Sequence, residues 1–191
     1  MKELLRIIQL LAALGLAPAW GQAPPDPIAL IAAQREAMKV FAAMDGVWRG
    51  SAWSLLPTGE KRTITQTERI GPFLDGSVKV IEGRGYRDDG AVGFNAFGII
   101  SYEPAKRTYS LRSYAMGHSG DFAFKPTPDG YAWEIPMGPA TIRYTATIKG
   151  NTLHEVGERI VADKEPVRIF EMNLTRVGDT AWPAADPIAP K

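Results

Sequence analysis

The chain has 191 residues, 22 basic against 21 acidic side chains for a net charge of +1, and no cysteine. The balanced charge, with no long basic run, excludes a nucleic-acid groove, which needs clustered Lys and Arg to displace counterions. The missing cysteine excludes disulfide staples and a lipid-anchoring cysteine, so stability must come from packing and hydrogen bonds.

Residues 1–23 read as a signal peptide. Lys2 and Arg6 supply a short positive region, Ile7 to Leu16 an apolar run broken only by Gln9, and Ala17-Pro18-Ala19 and Gly21-Gln22-Ala23 small residues for cleavage. The apolar run is too short to span a bilayer comfortably as an uncleaved anchor. We therefore expect an exported protein, periplasmic or secreted, with no membrane span in the mature chain. The roughly 170 residues left after cleavage suit one domain with its own core.

Residues 24–44 read as a proline-rich linker followed by a helix over 27–43. Asp26 can cap its exposed amides and Pro27 fits its first position. Ile28, Ile31, Met38 and Phe41 fall near one face, and Gly46 follows the end.

Beyond Gly46 the period changes. Runs of Val, Ile, Thr and aromatics alternate with turns such as Pro57-Thr58-Gly59, Asp88-Asp89-Gly90 and Lys149-Gly150-Asn151. Strands are expected near 47–55, 61–70, 77–87, 91–102, 107–116, 120–126, 130–136, 140–148, 152–162 and 166–177. The alternation is clearest in Ile142, Tyr144, Ala146 and Ile148, and in Phe170, Met172 and Leu174. Ten short-linked strands expose edges unless the sheet closes. An all-β, antiparallel up-and-down barrel over 45–177 resolves this, with a two-sheet sandwich as the alternative. Residues 178–191, rich in Ala and Pro, read as a disordered tail.

The first strand opens Asp45-Gly46-Val47-Trp48-Arg49-Gly50. This resembles the Gly-x-Trp opening of lipocalin-type barrels, in which a late arginine packs across the tryptophan. Arg176 stands in the matching place and shares a face with Phe170, Met172 and Leu174, so Trp48 and Arg176 are the expected closing pair. Together with Phe97 to Pro104 and Lys106-Arg107-Thr108-Tyr109, the opening also resembles a bacterial lipocalin-like (calycin-type) family, domain of unknown function number 1579. That resemblance implies the barrel and no particular activity. Residues 46–50 resemble the opening of nitrobindin-like haem barrels as well. Their iron-binding histidine lies near the last strand, where this chain has Phe170 to Leu174 and no histidine. We therefore expect no cofactor.

Gly50, Ala52 and Ser54 share parity with Trp48 and would leave interior space beside it. Phe94, Tyr109, Trp133, Tyr144, Phe170 and Met172 are the apolar residues expected inside. Glu68, Glu82, Arg84, Glu155, Glu158 and Arg159 are charges within strands, and a charge inside a barrel needs partners or water. Glu82 shares parity with Val78 and Val80, which suggests an inward carboxylate able to anchor a polar head. His118, between glycines, suggests a residue near a barrel mouth. Two distant histidines without cysteine make no metal site.

The expected function is binding of a small, largely apolar molecule, with Glu82, Phe94, His118, Tyr144, Phe170 and Met172 lining the site. Two other readings remain open. One is an enzyme using Glu82 or Glu155 with His118, although no motif marks a catalytic residue. The other is an interaction protein acting through its outer face.

Overall fold

The computed structural model describes residues 26–184. The expected signal peptide and most of the linker lie outside them, as do residues 185–191 of the expected tail. Among the described residues no helix is long and apolar enough to cross a membrane.

The chain begins with helix α1 (Pro27–Met38), continued by a 3-10 segment (Lys39–Met44). Ten strands follow: β1 (Gly46–Leu55), β2 (Lys61–Phe73), β3 (Val78–Tyr86), β4 (Val92–Glu103), β5 (Thr108–Ala115), β6 (His118–Thr127), β7 (Gly130–Met137), β8 (Ala140–Lys149), β9 (Thr152–Val161) and β10 (Val167–Gly178). Each pairs antiparallel with the next, and β10 returns to β1 to close the barrel. Closure satisfies both edges that an open meander would leave unpaired.

Closure is anchored where β1 meets β10. Trp48 and Arg176 are register partners, and the guanidinium carbon lies 6.0 Å from the indole centroid. Arg176 also donates through Nε and Nη2 to the carbonyl of Asp45, at 3.1 and 2.6 Å. Gly46 leaves the space for this. It adopts φ +136°, and a Cβ there would meet Arg176 Nε at 2.6 Å. Gly50 has a similar reason. It does not open interior space as expected; a Cβ would strike the Asn173 carbonyl oxygen of β10 at 1.9 Å.

The helical segment plugs one end of the barrel, here called the floor. Phe41 inserts between Tyr109 and Phe124, with ring centroids 5.1 and 5.2 Å away. Trp48 Nε1 donates to the Met44 carbonyl at 2.9 Å, and the Tyr109 hydroxyl to the Ala37 carbonyl at 3.0 Å. Asp26 caps α1 by accepting from the Ile28 amide at 3.0 Å. The expected apolar face is only half used: Met38 and Phe41 are buried, but Ile28 and Ile31 are 77% and 42% exposed. The helix meets the barrel through its C-terminal half, so its first turns extend past the floor.

The first residues of the expected tail lie against β2. A Cβ on Gly71 would meet the Trp182 carbonyl oxygen at 2.2 Å, and Arg69 lies over the Trp182 ring at 4.7 Å. Val80, the register partner of Gly71, is buried on the same outer face.

Candidate functional site: an interior cavity with two carboxyl groups

A cavity of about 680 Å³ occupies the barrel interior. Its floor is the Trp48 and Phe41 cluster; its mouth lies at the other end, where the turns after β1, β3, β5, β7 and β9 gather. The two-residue period decides which side chains line it. On β2 the even positions Ile64, Gln66 and Glu68 face in, on β7 Tyr131, Trp133 and Ile135, and on β9 Glu155.

Glycines make room for these groups. On β3 the inward positions above the floor include Gly83 and Gly85. A Cβ on Gly83 would sit 3.2 Å from Gln66 Nε2 and 3.6 Å from Glu68 Oε1. The Glu68 carboxyl therefore lies on the interior side, over a strand stretch with no side chain of its own. On β9, Tyr144 and Phe170 close over Gly157, where a Cβ would meet them at 2.8 and 2.9 Å.

The aromatic wall is continuous. Trp133 and Tyr144 stack at 4.3 Å with planes 10° apart, Phe122 lies 5.7 Å from Trp133, and Phe170 meets Tyr144 edge-on at 5.6 Å. Within this apolar surround sit two carboxyl groups. Glu155 is buried and accepts from Trp133 Nε1 at 3.0 Å. Desolvation pushes its pKa up to about 7, against the lowering effect of hydrogen bonds from Trp133 and Tyr131. Desolvation and then the charge of Glu155 push Glu68 up to about 8, against a hydrogen bond from Gln66. Burial and the nearby Glu155 raise Tyr144 to about 12; burial, Glu155 and Glu68 raise Tyr131 well above its ordinary value. The carboxyl pair can thus hold or release a proton near neutral pH.

Of the expected site residues, Phe94, His118, Tyr144, Phe170 and Met172 all line the cavity. Met172 lies deep and His118 is exposed at the mouth. His118 opens β6, directly after the Met116-Gly117 turn, whose residues adopt φ +49° and +84°. Tyr109 belongs to the floor cluster and Trp133 to the cavity wall.

Glu82 is a correction. In β3 the inward residues are odd-numbered, so Glu82 stands on the outer wall with Arg84 and Tyr86. It accepts from Arg69 Nε at 2.7 Å and Arg84 Nη2 at 2.8 Å. Val80 reads as interior because it is apolar and buried, but its burial is on the outer face, beside Gly71 where Trp182 lies. Glu82 therefore cannot share a pocket with His118. Glu155 does line the same cavity as His118, but lies buried while the histidine sits at the rim.

Sequence reasoning left Gln66 and Tyr131 unassigned and did not pair Glu68 with Glu155. A signal was present: Glu68 shares parity with Ile64 and Ile70, and Glu155 with Leu153, all of them apolar. His154 faces outward and pairs with Glu171 at 3.1 Å. Among the described residues, no group of three His, Asp or Glu side chains could hold a metal ion. No known protein-family profile matches the chain, and no curated protein matches it in sequence.

Proposed function

We propose that this protein is an exported, lipocalin-like barrel that binds a small, largely apolar molecule in its interior. The observation that carries the reading is the cavity itself. Its volume of about 680 Å³ falls within the ordinary range for small-molecule sites. Aromatic and aliphatic side chains line most of it, with a few polar groups converging at depth. One end is plugged and the other gives access, so a ligand enters at the mouth past His118 and stops short of Trp48.

The lipocalin-like assignment is supported by the up-and-down strand order and by Arg176 over Trp48. Export is supported by the charge, length and small-residue pattern of residues 1–23.

Two measurements test the reading. Titration with N-phenyl-1-naphthylamine, which fluoresces in apolar surroundings, is expected to saturate at one site per chain; no saturable uptake overturns the binding function. Native mass spectrometry of protein from the exported fraction is expected to give a chain shortened near residue 23. Protein retained in the cytoplasm at full length overturns export.

A further inference from the structure

The interior holds two carboxyl groups without a neutralising cation. Among the described residues, the inward-facing cations near the floor are Lys79 and Arg176. The buried Lys79 pairs with the partly exposed Asp45, and Arg176 is held by the Asp45 carbonyl and by Asp179 at 2.7 Å. Arg62 lines the cavity only at its exposed rim. Meanwhile Trp133 Nε1 donates to Glu155 at 3.0 Å, and Tyr131 and Gln66 line the same cavity beside the carboxyls. Such donors favour the ionised carboxylate, while desolvation and mutual repulsion oppose it. A cation arriving from outside relieves both opposing effects. The stacked faces of Trp133 and Tyr144 beside Glu155 add a surface that attracts positive charge.

We propose that the cavity selects an organic monocation, an ammonium group on an apolar body, with the ammonium seated at Glu68 and Glu155 and the body against Trp133, Tyr144, Phe94 and Phe170. This rests on the binding function proposed above and names its ligand class. A carboxylate ligand would add negative charge beside two groups whose own ionisation burial and mutual repulsion already oppose, and is rejected. A neutral alcohol fills the apolar wall but leaves the pair uncompensated.

Protonation is coupled to this binding. The titratable and charged groups facing the pair are Tyr131 on β7 and Tyr144 on β8. Lys79 with Asp45 and Arg176 lie towards the floor, and Arg62 and His118 at the rim. The tyrosines are held neutral and the floor cations are already paired. An incoming ammonium therefore lowers the proton affinity of the carboxyl pair, and a proton leaves to solvent as the ion pair forms.

The test is isothermal titration of the full chain at pH 7.5 with octylammonium, octanol and octanoate, in phosphate and again in Tris. Octylammonium is expected to bind at least about tenfold more tightly than octanol, roughly 1.4 kcal/mol, with octanoate weakest. Its enthalpy is expected to differ between the two buffers, reporting proton release, whereas that of octanol does not. The E68Q/E155Q double variant is expected to bind octylammonium no better than octanol. Equal affinity for amine and alcohol, a preference for octanoate, or an undiminished amine preference in the folded double variant overturns the ligand class and leaves the binding function standing. If none of the three binds, both fall. The three-ligand comparison on the unmodified chain decides even if the double variant does not fold.

Discussion

Arg176 lies over Trp48 and reaches past it to the Asp45 carbonyl at 2.6 Å, so one side chain ties the last strand to the residue that precedes the first. The link spans 131 positions in sequence. It covers the deepest indole, satisfies a carbonyl at the chain's entry to the barrel, and fixes the β1–β10 register. Replacing Arg176 by Met keeps much of the apolar stem and removes the donors. We expect a loss of about 1–3 kcal/mol, the range for a charged hydrogen bond, read from the urea midpoint. Lys in its place keeps the charge without the fork and should recover less than half. Gly46→Ala should cost as much or more, because the added Cβ meets Arg176 and the backbone is left-handed.

The carboxyl pair predicts an unusual pH dependence of stability. Glu68 and Glu155 have folded pKa values of about 8 and about 7, against an ordinary value of 4.5. The folded state therefore binds more protons than the unfolded chain between pH 4.5 and about 8, and stability must fall as pH rises through that window. Two outer carboxylates act in the opposite sense. Glu171 is held low mainly by its hydrogen bond from His154; desolvation pushes Glu82 up, but the hydrogen bonds and charges of Arg69 and Arg84 together hold it low. Their stabilisation is lost in acid. The melting temperature should thus peak near pH 5 and decline towards pH 8. In E68Q/E155Q the decline should flatten, as followed by circular dichroism across a pH series.

The floor plug should be the largest single source of packing stability in the helical segment. Phe41 is buried between Tyr109 and Phe124, and its removal leaves a void that the closed barrel cannot collapse into. Phe41→Ala should cost about 3–5 kcal/mol in chemical unfolding. Ile28→Ala, at an exposed position of the same helix, should change stability by less than about 0.5 kcal/mol.

Cavity volume can be removed without disturbing the core. Ala96 and Ala115 are register partners on β4 and β5, and both line the cavity. Ala96→Phe fills space from the wall, next to Gly83 and the Glu68 carboxyl that lies over it. Uptake of N-phenyl-1-naphthylamine should fall at least about tenfold while the unfolding midpoint stays near that of the unmodified chain. Unchanged uptake would mean that the probe binds elsewhere.

The strand pattern, the helix cap at Asp26 and the turn positions are legible from local chemistry, and the closing pair of Trp48 and Arg176 from the resemblance to lipocalin-type barrels. A strand's period of two is carried by neighbours in sequence, and turns are marked by residues that tolerate unusual backbone angles. The inward set Phe94, Tyr144, Phe170 and Met172 follows from the same alternation. Glu82 did not, because parity gives two faces without saying which is inside. An apolar residue such as Val80 reads as interior even when its burial is on the outer face, next to the strand position Gly71 that the Trp182 segment meets. The pairing of Glu68 with Glu155 was equally hidden. These residues lie on β2 and β9, and only the wrap of the closed sheet brings their charges together. The elements and their alternation can be read from residue order, because they depend on short-range sterics and solvation. Only closure decides which face becomes the interior, how far the helix enters the floor, and that two carboxyl groups share one cavity, because burial and Coulomb interaction depend on distances that closure creates.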